Sequence, residues 1–302
     1  MPVAGFPPSQ NTSCPVCLLD TQSWVRALTF SIGPREVLTS VYACGHCGSV
    51  WRDLSGCRSW REAYFSTGPY NDRAEGEQWR GHRQALFAQC RAILRQVGHG
   101  SGRLLDVGCA YGHLLNSFSK YGWVCVGIEI APRLRAHLQS NGQHRVYRNA
   151  DDLPPTETFD AITLIDSLNC NSEPYQYLTQ LTQLLAPQGV ILLRIANRAL
   201  AVRLFARWLP SRWLSGLLGD QVVAVTYHGI EVMAERLGLC ILAVEQETVQ
   251  SYLPRQFPRW LCHRRLPAVG KLTGMRASPG LLCVLTRSDA NSTFREPAAT
   301  TE

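Results

Sequence analysis

The chain has 302 residues, of which 45% are hydrophobic and 18% are charged, which suits one large domain with an appendage and argues against wholesale disorder. Its formal net charge of +7 permits an anionic substrate, nucleic acid or a membrane surface as a partner without indicating which. The sequence shows neither a signal peptide nor an uncharged run of the roughly 18 residues that a membrane span needs, so a cytoplasmic location is expected.

Two Cys-x-x-Cys pairs occur within residues 1–60 and predict a small metal-binding module. Cys14-Pro-Val-Cys17 and Cys44-Gly-His-Cys47 are separated by 26 residues, and two such pairs can surround one Zn²⁺ ion as a tetrahedron of thiolates. A closed set of four thiolates leaves no open position, so the predicted zinc is structural. A redox-active pair and metal-free cysteines are the alternatives. The other cysteines are scattered, which favours reduced thiols in the cytosol over a disulfide framework.

Residues 61–98 are predicted to form a connector that leads into a helix. The connector contains the aromatic residues Tyr64 and Tyr70. From residue 77 to residue 97, apolar side chains recur at helical spacing, and the glycine-rich residues 98–102 end this pattern.

Strands and helices alternate from residue 99 to residue 290. Strands are predicted at 103–107, 123–130, 145–148, 159–166, 190–196, 240–245 and 281–286, and helices at 112–120, 132–140, 174–185 and 227–237. Strands that alternate with helices of about ten residues indicate a parallel sheet with helices on both faces, which is an α/β fold.

Two segments interrupt this alternation, and a tail follows it. Residues 198–224 combine tryptophans, leucines and arginines, and we predict an insertion that closes over the substrate like a lid. An amphipathic helix on a membrane surface is the alternative, which Pro210 disfavours because proline breaks a helix. Residues 250–279 form a basic loop with interleaved aromatic residues, which suits a solvated surface, an anionic substrate or nucleic acid. Residues 291–302 are predicted to be a disordered tail.

A turn of small residues follows the strand at 103–107 and begins the next helix. It reads Asp106-Val-Gly108-Cys-Ala110-Tyr-Gly112. Small residues let the backbone approach a ligand, and the free N–H groups at the helix start face that ligand. A dinucleotide fingerprint needs a small residue at the sixth position from Gly108, where this chain has His113. The Asp106 carboxylate would repel a pyrophosphate and attract an ammonium group, by about 1–4 kcal/mol at about 4 Å.

Acidic residues stand at the ends of four successive predicted strands. Asp106 and Glu129 end the first two, Asp151 and Asp152 follow the third, and Asp166 closes the fourth. In an open α/β sheet the ligand binds at the carboxyl ends of the strands, so these side chains are predicted to face one crevice. The Glu129 carboxylate can accept hydrogen bonds from both ribose hydroxyls, and a side chain near Asp151 can reach the amino group of an adenine.

Taken together, these motifs resemble the successive motifs of class I S-adenosylmethionine-dependent methyltransferases. The resemblance covers residues 77–290 and includes the turn, Gly-Ile-Glu129, Asn149-Ala-Asp-Asp-Leu-Pro and Leu184-Leu-Ala-Pro-Gln-Gly. It implies a Rossmann-like sheet of seven strands, the last one antiparallel, with S-adenosylmethionine as the cofactor. The cysteine segment and the aromatic connector after it resemble the zinc-ribbon leader of a group of small-molecule methyltransferases.

The resemblance also implies which residues contact the cofactor. They are Asp106, Gly108, Ala110, Gly112, Glu129, Ile130, Asp151, Tyr64 and Tyr70. The turn would hold the methionine part of the cofactor and Glu129 the ribose, while Ile130 would pack on the adenine and Asp151 would bond to its edge. The two tyrosines would approach the mouth of the site, and the connector with its helix would cover the cofactor side.

The catalytic groups are less well defined by the sequence. The strand that ends in Glu-His in many relatives reads Asp166-Ser-Leu-Asn169 here, and the middle glycine of the turn is Ala110. Oxygen and nitrogen acceptors often need a general base. His228, in Thr-Tyr-His-Gly, matches a histidine that is frequent in this group, and Asp166 is the second candidate. Either side chain can instead have a structural role.

Three functions agree with these features. The favoured one is methylation of a small-molecule acceptor, which the positive charge allows to be anionic, on oxygen or nitrogen rather than carbon. Sugar C-methyltransferases with this leader generally carry a further C-terminal domain, which disfavours carbon. The first alternative is an RNA- or ribosome-modifying methyltransferase. The lack of an Asn-Pro-Pro-Tyr motif argues against this alternative. The second is a non-catalytic binding module that retains the fold. The sequence does not predict the oligomeric state.

Overall fold

The computed structural model describes residues 13–32, 35–54, 64–65, 77–196, 198–247 and 280–290. The predictions for Tyr70, for the basic loop at 250–279 and for the tail at 291–302 lie outside these residues. Within the described ranges, none of the helices is both long and apolar enough to cross a membrane.

The described elements follow one another in the alternation that the sequence predicts. The strands are β1 (Gln22–Ile32), β2 (Arg35–Cys44), β3 (Val50–Arg52), β4 (Gly102–Val107), β5 (Trp123–Ile128), β6 (Arg145–Tyr147), β7 (Phe159–Ile165), β8 (Leu185–Ala196), β9 (Val223–Ala224), β10 (Leu239–Gln246) and β11 (Gly280–Arg287). The helices are α1 (Glu77–Gln96), α2 (His113–Ser119), α3 (Pro132–Asn141), α4 (Pro174–Gln183), α5 (Ala199–Phe205), α6 (Ser211–Leu218) and α7 (Tyr227–Arg236).

The larger of two sheets contains seven strands in the order β10-β11-β8-β7-β4-β5-β6. Strands β4 to β8 pair in parallel, whereas β11 is antiparallel to both β8 and β10. The predicted seven-stranded α/β sheet with an antiparallel last strand is therefore confirmed. Its parallel strands end at the same edge, which brings the residues after β4, β5 and β7 together.

Alternate residues of the central strands pack into two cores, one on each face of the sheet. Leu105 of β4 and Ile191 of β8 belong to one core, together with apolar residues of α4 and α7. Their neighbours Leu104 and Leu192 belong to the other core, which α1 and α2 cover. The side chains of a strand alternate in direction, so a continuous apolar run fills both faces.

The smaller sheet has the order β1-β2-β3-β9. Strands β1 and β2 form a hairpin that pairs from Gln22 with Cys44 to Ile32 with Arg35, with an irregular register between Trp24 and Arg26. In β1, buried Leu28 and Phe30 alternate with exposed Thr29 and Ser31, which is the pattern of a half-buried strand. The cysteine residues before and after this hairpin pack into the same core as one face of the large sheet.

The segment at 198–224 packs on the smaller sheet. Pro210 separates α5 from α6, as predicted. The two helices bury Val202 and Leu214 against Leu28 of β1, and β9 then pairs with β3. Closure over a substrate remains a prediction for this segment.

Candidate functional site

The turn after β4 adopts a left-handed backbone at three positions. The φ angles of Gly108, Ala110 and Gly112 are 81°, 48° and 70°. A Cβ atom on Gly108 would lie 2.9 Å from Cβ of Ser167, so glycine is required there for space as well as for backbone angle. Ala110 accepts a left-handed angle that costs about 1–2 kcal/mol for a residue with a side chain, which indicates that its surroundings hold it in place.

The buried Glu129 carboxylate holds this turn. One of its oxygens, Oε2, accepts a hydrogen bond from the Ala110 N–H at 2.8 Å, and Oε1 accepts one from the Ala131 N–H at 2.7 Å. Burial raises the pKa of Glu129, and these amide bonds oppose the shift. Each carboxylate oxygen can accept a further hydrogen bond, so the side chain can still bind two hydroxyls of a ligand.

Asp106 is the second buried carboxylate of the crevice, with 4% of its surface exposed. The Thr163 hydroxyl donates to its Oδ1 at 2.7 Å. Burial raises the pKa of Asp106 to about 7, although the Thr163 hydrogen bond and the nearby Arg83 guanidinium oppose this shift. A cationic group bound beside Asp106 would stabilise its ionised form.

Asp166 follows β7 in a left-handed backbone, with φ of 67°. Its carboxylate forms ion pairs with Arg83 of α1, at 3.0 Å, and with Arg194 of β8. Arg194 also donates from Nε to Oε2 of Glu247 at 3.0 Å. Burial alone would raise the pKa of Asp166, but the Arg194 and Arg83 guanidiniums outweigh it and hold this pKa below its ordinary value. Arg83, which the sequence did not single out, thus lies near both Asp106 and Asp166.

Two aromatic side chains of the connector pack beside the turn. Phe65 is buried against Ala131 and Leu134, and Tyr64, Ala110 and Ile130 border the same cluster. The Tyr64 ring meets the Phe65 ring edge-on, with centroids 5.0 Å apart, and stacks on Phe30 of β1 at 5.7 Å. Tyr64 therefore lies at the predicted mouth of the site. Phe65 was not predicted to be a site residue, because nothing in the local sequence distinguishes it from the other aromatic residues of the connector.

The residue predicted at the adenine edge, Asp151, lies at the surface after β6. Asp151 is exposed in the 3₁₀ turn Ala150–Asp152, and it accepts a hydrogen bond from the Gln180 side chain of α4. The neighbouring Asp152 accepts from the Asn149 N–H at 3.0 Å, which closes the turn. Asp151 is thus held in place by a neighbouring helix and is open to solvent.

The four cysteines of the two pairs come together, as predicted. Their Sγ atoms all lie within 4.8 Å of one another and all four residues are buried. The Sγ atoms of Cys14 and Cys47 are 3.6 Å apart, and those of Cys17 and Cys44 are 3.5 Å apart. Thiolates that surround Zn²⁺ as a tetrahedron at about 2.3 Å lie about 3.8 Å from one another, so this cluster fits a zinc ion.

His228 lies with the cysteine module instead of the crevice. Its side chain is 54% exposed, and its Nδ1 is 3.1 Å from Oε2 of Glu231. The ring centroid lies 5.8 Å from that of His46, which belongs to the second cysteine pair. No described contact joins His228 to the turn after β4. The structure thus places Asp106, Glu129 and Tyr64 beside the turn after β4, with Asp166 linked to them through Arg83, and it places His228 beside the cysteine module.

A sequence model of the family described as a methyltransferase domain matches residues 79–263. The ubiquinone biosynthesis O-methyltransferase of Cereibacter sphaeroides (strain ATCC 17025 / ATH 2.4.3) is 35% identical over 123 residues, which cover 36% of this chain and 50% of that protein. The enzyme of the same name from Xanthomonas axonopodis pv. citri (strain 306) is 34% identical over 124 residues, 36% of this chain and 52% of that protein. The chain thus spans about half the length of these curated relatives.

Two solved structures resemble the chain at low identity. The magnesium protoporphyrin IX methyltransferase from Synechocystis PCC 6803, solved with bound SAH, is 15% identical with a TM-score of 0.49, over 78% of this chain and 94% of that one. The plantazolicin methyltransferase BpumL, in complex with SAH, is 16% identical with a TM-score of 0.48, over 72% of this chain and 88% of that one.

Proposed function

Because the chain belongs to the methyltransferase domain family that matches residues 79–263, we propose that it transfers a methyl group from S-adenosylmethionine to an oxygen atom of a small molecule. The observation that carries this proposal is the turn after β4, which the buried Glu129 holds from one side while Asp106 lies buried at its start. The relatives' name, ubiquinone biosynthesis O-methyltransferase, supports an oxygen acceptor.

The crevice offers one group for each part of the cofactor. The Asp106 carboxylate would pair with the ammonium of the methionine part, and the remaining acceptor positions of Glu129 would bind the ribose hydroxyls. Ile130 would pack on the adenine, with Asp151 at its edge. Tyr64 would border the mouth. The small residues at 108, 110 and 112 would let the backbone approach the cofactor closely.

Methyl transfer mainly requires alignment and the exclusion of water. When bound, the cofactor supplies an electrophilic methyl group on a sulfonium. Transfer of this methyl group to the acceptor oxygen would leave S-adenosylhomocysteine, and the proton that the acceptor loses would pass to solvent. Asp166 is a weak base because two guanidiniums hold its pKa low, so we assign it a positioning role. His228 is assigned no step, because its described contacts are with the cysteine module.

The cysteine cluster is proposed to hold a structural Zn²⁺ ion. Its four thiolates would complete the coordination shell and leave no position for a substrate. The Cys47 N–H points to the Cys44 sulfur at 3.4 Å, and the Thr21 hydroxyl lies 3.2 Å from the same sulfur. Donors of this kind stabilise a thiolate ligand.

The experiment that tests the transferase proposal uses cofactor labelled in its methyl group. The full chain is incubated with labelled S-adenosylmethionine and either a small-molecule extract or total RNA, and the labelled product is identified by mass spectrometry. We expect label on oxygen in the small-molecule fraction. Label in RNA would instead favour a nucleic-acid substrate, and a lack of cofactor binding by calorimetry would contradict any transferase function.

A further inference from the structure

Beside the cofactor turn lie buried polar groups that the fold itself does not use. Asn169 is fully buried, and among the described residues neither its Oδ1 nor its Nδ2 has a hydrogen-bond partner. Within the same ranges, the Oε1 of Gln221, a residue that is 4% exposed, and the Oγ of Ser167 also have no partner. A buried polar group without a partner costs free energy, so such a cluster is usually explained by a water or a ligand.

These groups are close to one another and to the cofactor turn. Ser167 and Asn169 belong to the short segment that follows Asp166 at the end of β7, and Ser167 touches the turn at Gly108. The Asn169 carbonyl accepts a hydrogen bond from the Val222 N–H at 2.9 Å, which places Gln221 beside it. The cluster therefore lies at the carboxyl edge of the sheet, where the methyl acceptor must approach.

A buried cation completes the cluster. Arg52 of β3 is 2% exposed, and its Nε donates to the Gln221 carbonyl at 3.3 Å. Its guanidinium lies over the Phe30 ring, 4.9 Å from the centroid, and Phe30 in turn stacks on Tyr64. Burial lowers the pKa of Arg52 to about 10, and the nearby Asp220 carboxylate opposes this shift, but the two side chains form no ion pair in the part of the chain that the structure describes. A buried guanidinium that bonds only to carbonyl groups can still bind an oxyanion.

We propose that Asn169, Gln221 and Arg52 form the acceptor pocket, and that the acceptor carries an oxyanion, a carboxylate or a phosphate, near the oxygen that is methylated. This inference rests on the proposed transferase function. Asn169 and Gln221 bond to polar atoms of the acceptor, and Arg52 pairs with its charge. Because Arg52 follows the second cysteine pair, the cysteine module contributes directly to substrate selection as well as to stability.

The first test separates a ligand site from a structural one, and it does not depend on turnover. Asn169→Leu replaces the side chain with an apolar one of similar size. Asn171→Leu is the matched control, since Asn171 is buried in the same segment but its Oδ1 accepts from the Glu173 N–H at 3.0 Å. We expect Asn169→Leu to keep or raise the melting temperature and Asn171→Leu to lower it. A fall for Asn169→Leu equal to that of the control would overturn the pocket assignment.

The second test concerns the charge of the acceptor. In calorimetry with the SAH-loaded protein, 3-hydroxybenzoate is compared with its uncharged methyl ester, and 3-hydroxyphenyl phosphate distinguishes a phosphate from a carboxylate. We expect at least one anion to bind more than tenfold more tightly than the ester. Arg52→Gln should remove this preference and Arg52→Lys should retain part of it. Equal binding of ester and anions, or binding of none, would overturn the oxyanion assignment.

The two proposals fail in different ways. If SAH does not bind, the transferase proposal fails, while the comparison of the two asparagine variants still decides whether Asn169 belongs to a ligand site. If the labelled product forms but lacks a carboxylate and a phosphate, the transferase proposal stands and the oxyanion inference fails.

Discussion

At the residue scale, the proposed contact between Asp106 and the cofactor predicts that cofactor binding depends on pH. Burial raises the pKa of this carboxyl to about 7, so it is mostly neutral at about pH 6 and mostly ionised at about pH 8. The ammonium group of the cofactor pairs only with the ionised form. We therefore expect the affinity for S-adenosylmethionine, measured by calorimetry, to increase up to about pH 7 and to fall again once the cofactor's amino group loses its proton near about pH 8.

The Asp106→Asn variant is the control for this profile. Its affinity should be lower and should show no rise up to about pH 7. The folded-state pKa of Asp106 lies above its unfolded value of about 3.9. Ionisation of this carboxyl therefore lowers the free energy of unfolding of the protein as pH rises from about 4 to about 7. The amide introduced by Asp106→Asn cannot ionise, so the variant without cofactor should be more stable than the parent at about pH 8. A variant that keeps the parent's binding profile would contradict the role of Asp106.

Glu129 is expected to bind the ribose while it holds the turn. Glu129→Gln places an NH₂ group where one of two backbone N–H donors points, so we expect the affinity for SAH to fall by about 10- to 100-fold, or about 1.5–3 kcal/mol. The matched control is Glu231→Gln, a change of the same kind at a carboxylate that is 44% exposed. An unchanged affinity in Glu129→Gln would refute the ribose assignment.

At the scale of elements, the cysteine cluster connects the smaller sheet to α7. The Thr226 hydroxyl accepts from the Gly229 N–H at 2.9 Å at the start of α7, and it donates to the Cys47 carbonyl at 2.5 Å. Loss of the proposed zinc ion would therefore disturb the start of this helix together with β3, which carries Arg52.

Removal of the proposed zinc ion is expected to destabilise the chain. We expect about one zinc ion per chain by elemental analysis, and we expect Cys44→Ser to lose it and to melt about 5–10 °C lower. Cys240→Ser serves as the control because Cys240 lies outside the cluster. If the parent contains no zinc, or if Cys44→Ser melts like the control, the cluster is not a structural metal site.

At the scale of the whole molecule, the cysteine module and the large sheet share a core. Cys14, Val16 and Trp51 belong to the same buried cluster as Leu193 of β8 and Met233 of α7. Segments that bury apolar surface against each other unfold together, because exposing one leaves the other's surface in water.

We therefore expect one unfolding transition for the zinc-loaded chain. Calorimetry and tryptophan fluorescence should give coincident curves, since Trp51 lies in the module and Trp123 in the large sheet. Two resolved transitions, with the zinc released in the first, would show that the module folds as a separate domain, as the predicted boundary at residue 60 implies.

The sequence by itself determined the features that depend on local spacing. Each of these features depends on a few neighbouring residues. They are the alternation of strands and helices, the turn with Asp106 and Glu129 near it, and the two cysteine pairs. Periodicity and turn chemistry are local properties, so the seven-stranded sheet and the left-handed turn after β4 were predictable. The length of the β1–β2 hairpin was not, because its register is irregular between Trp24 and Arg26.

Only the tertiary structure decided which distant side chains complete the crevice. Arg83 meets Asp166 across 83 residues, and Arg52 meets Gln221 across 169. The same packing places His228 beside His46, and it buries the Asn169 side chain without a hydrogen-bond partner among the described residues. Contacts of this range arise when elements pack against one another. No local pattern encodes them, which is why the proposed cofactor residues were predictable from the sequence, whereas the proposed acceptor residues depend on the fold.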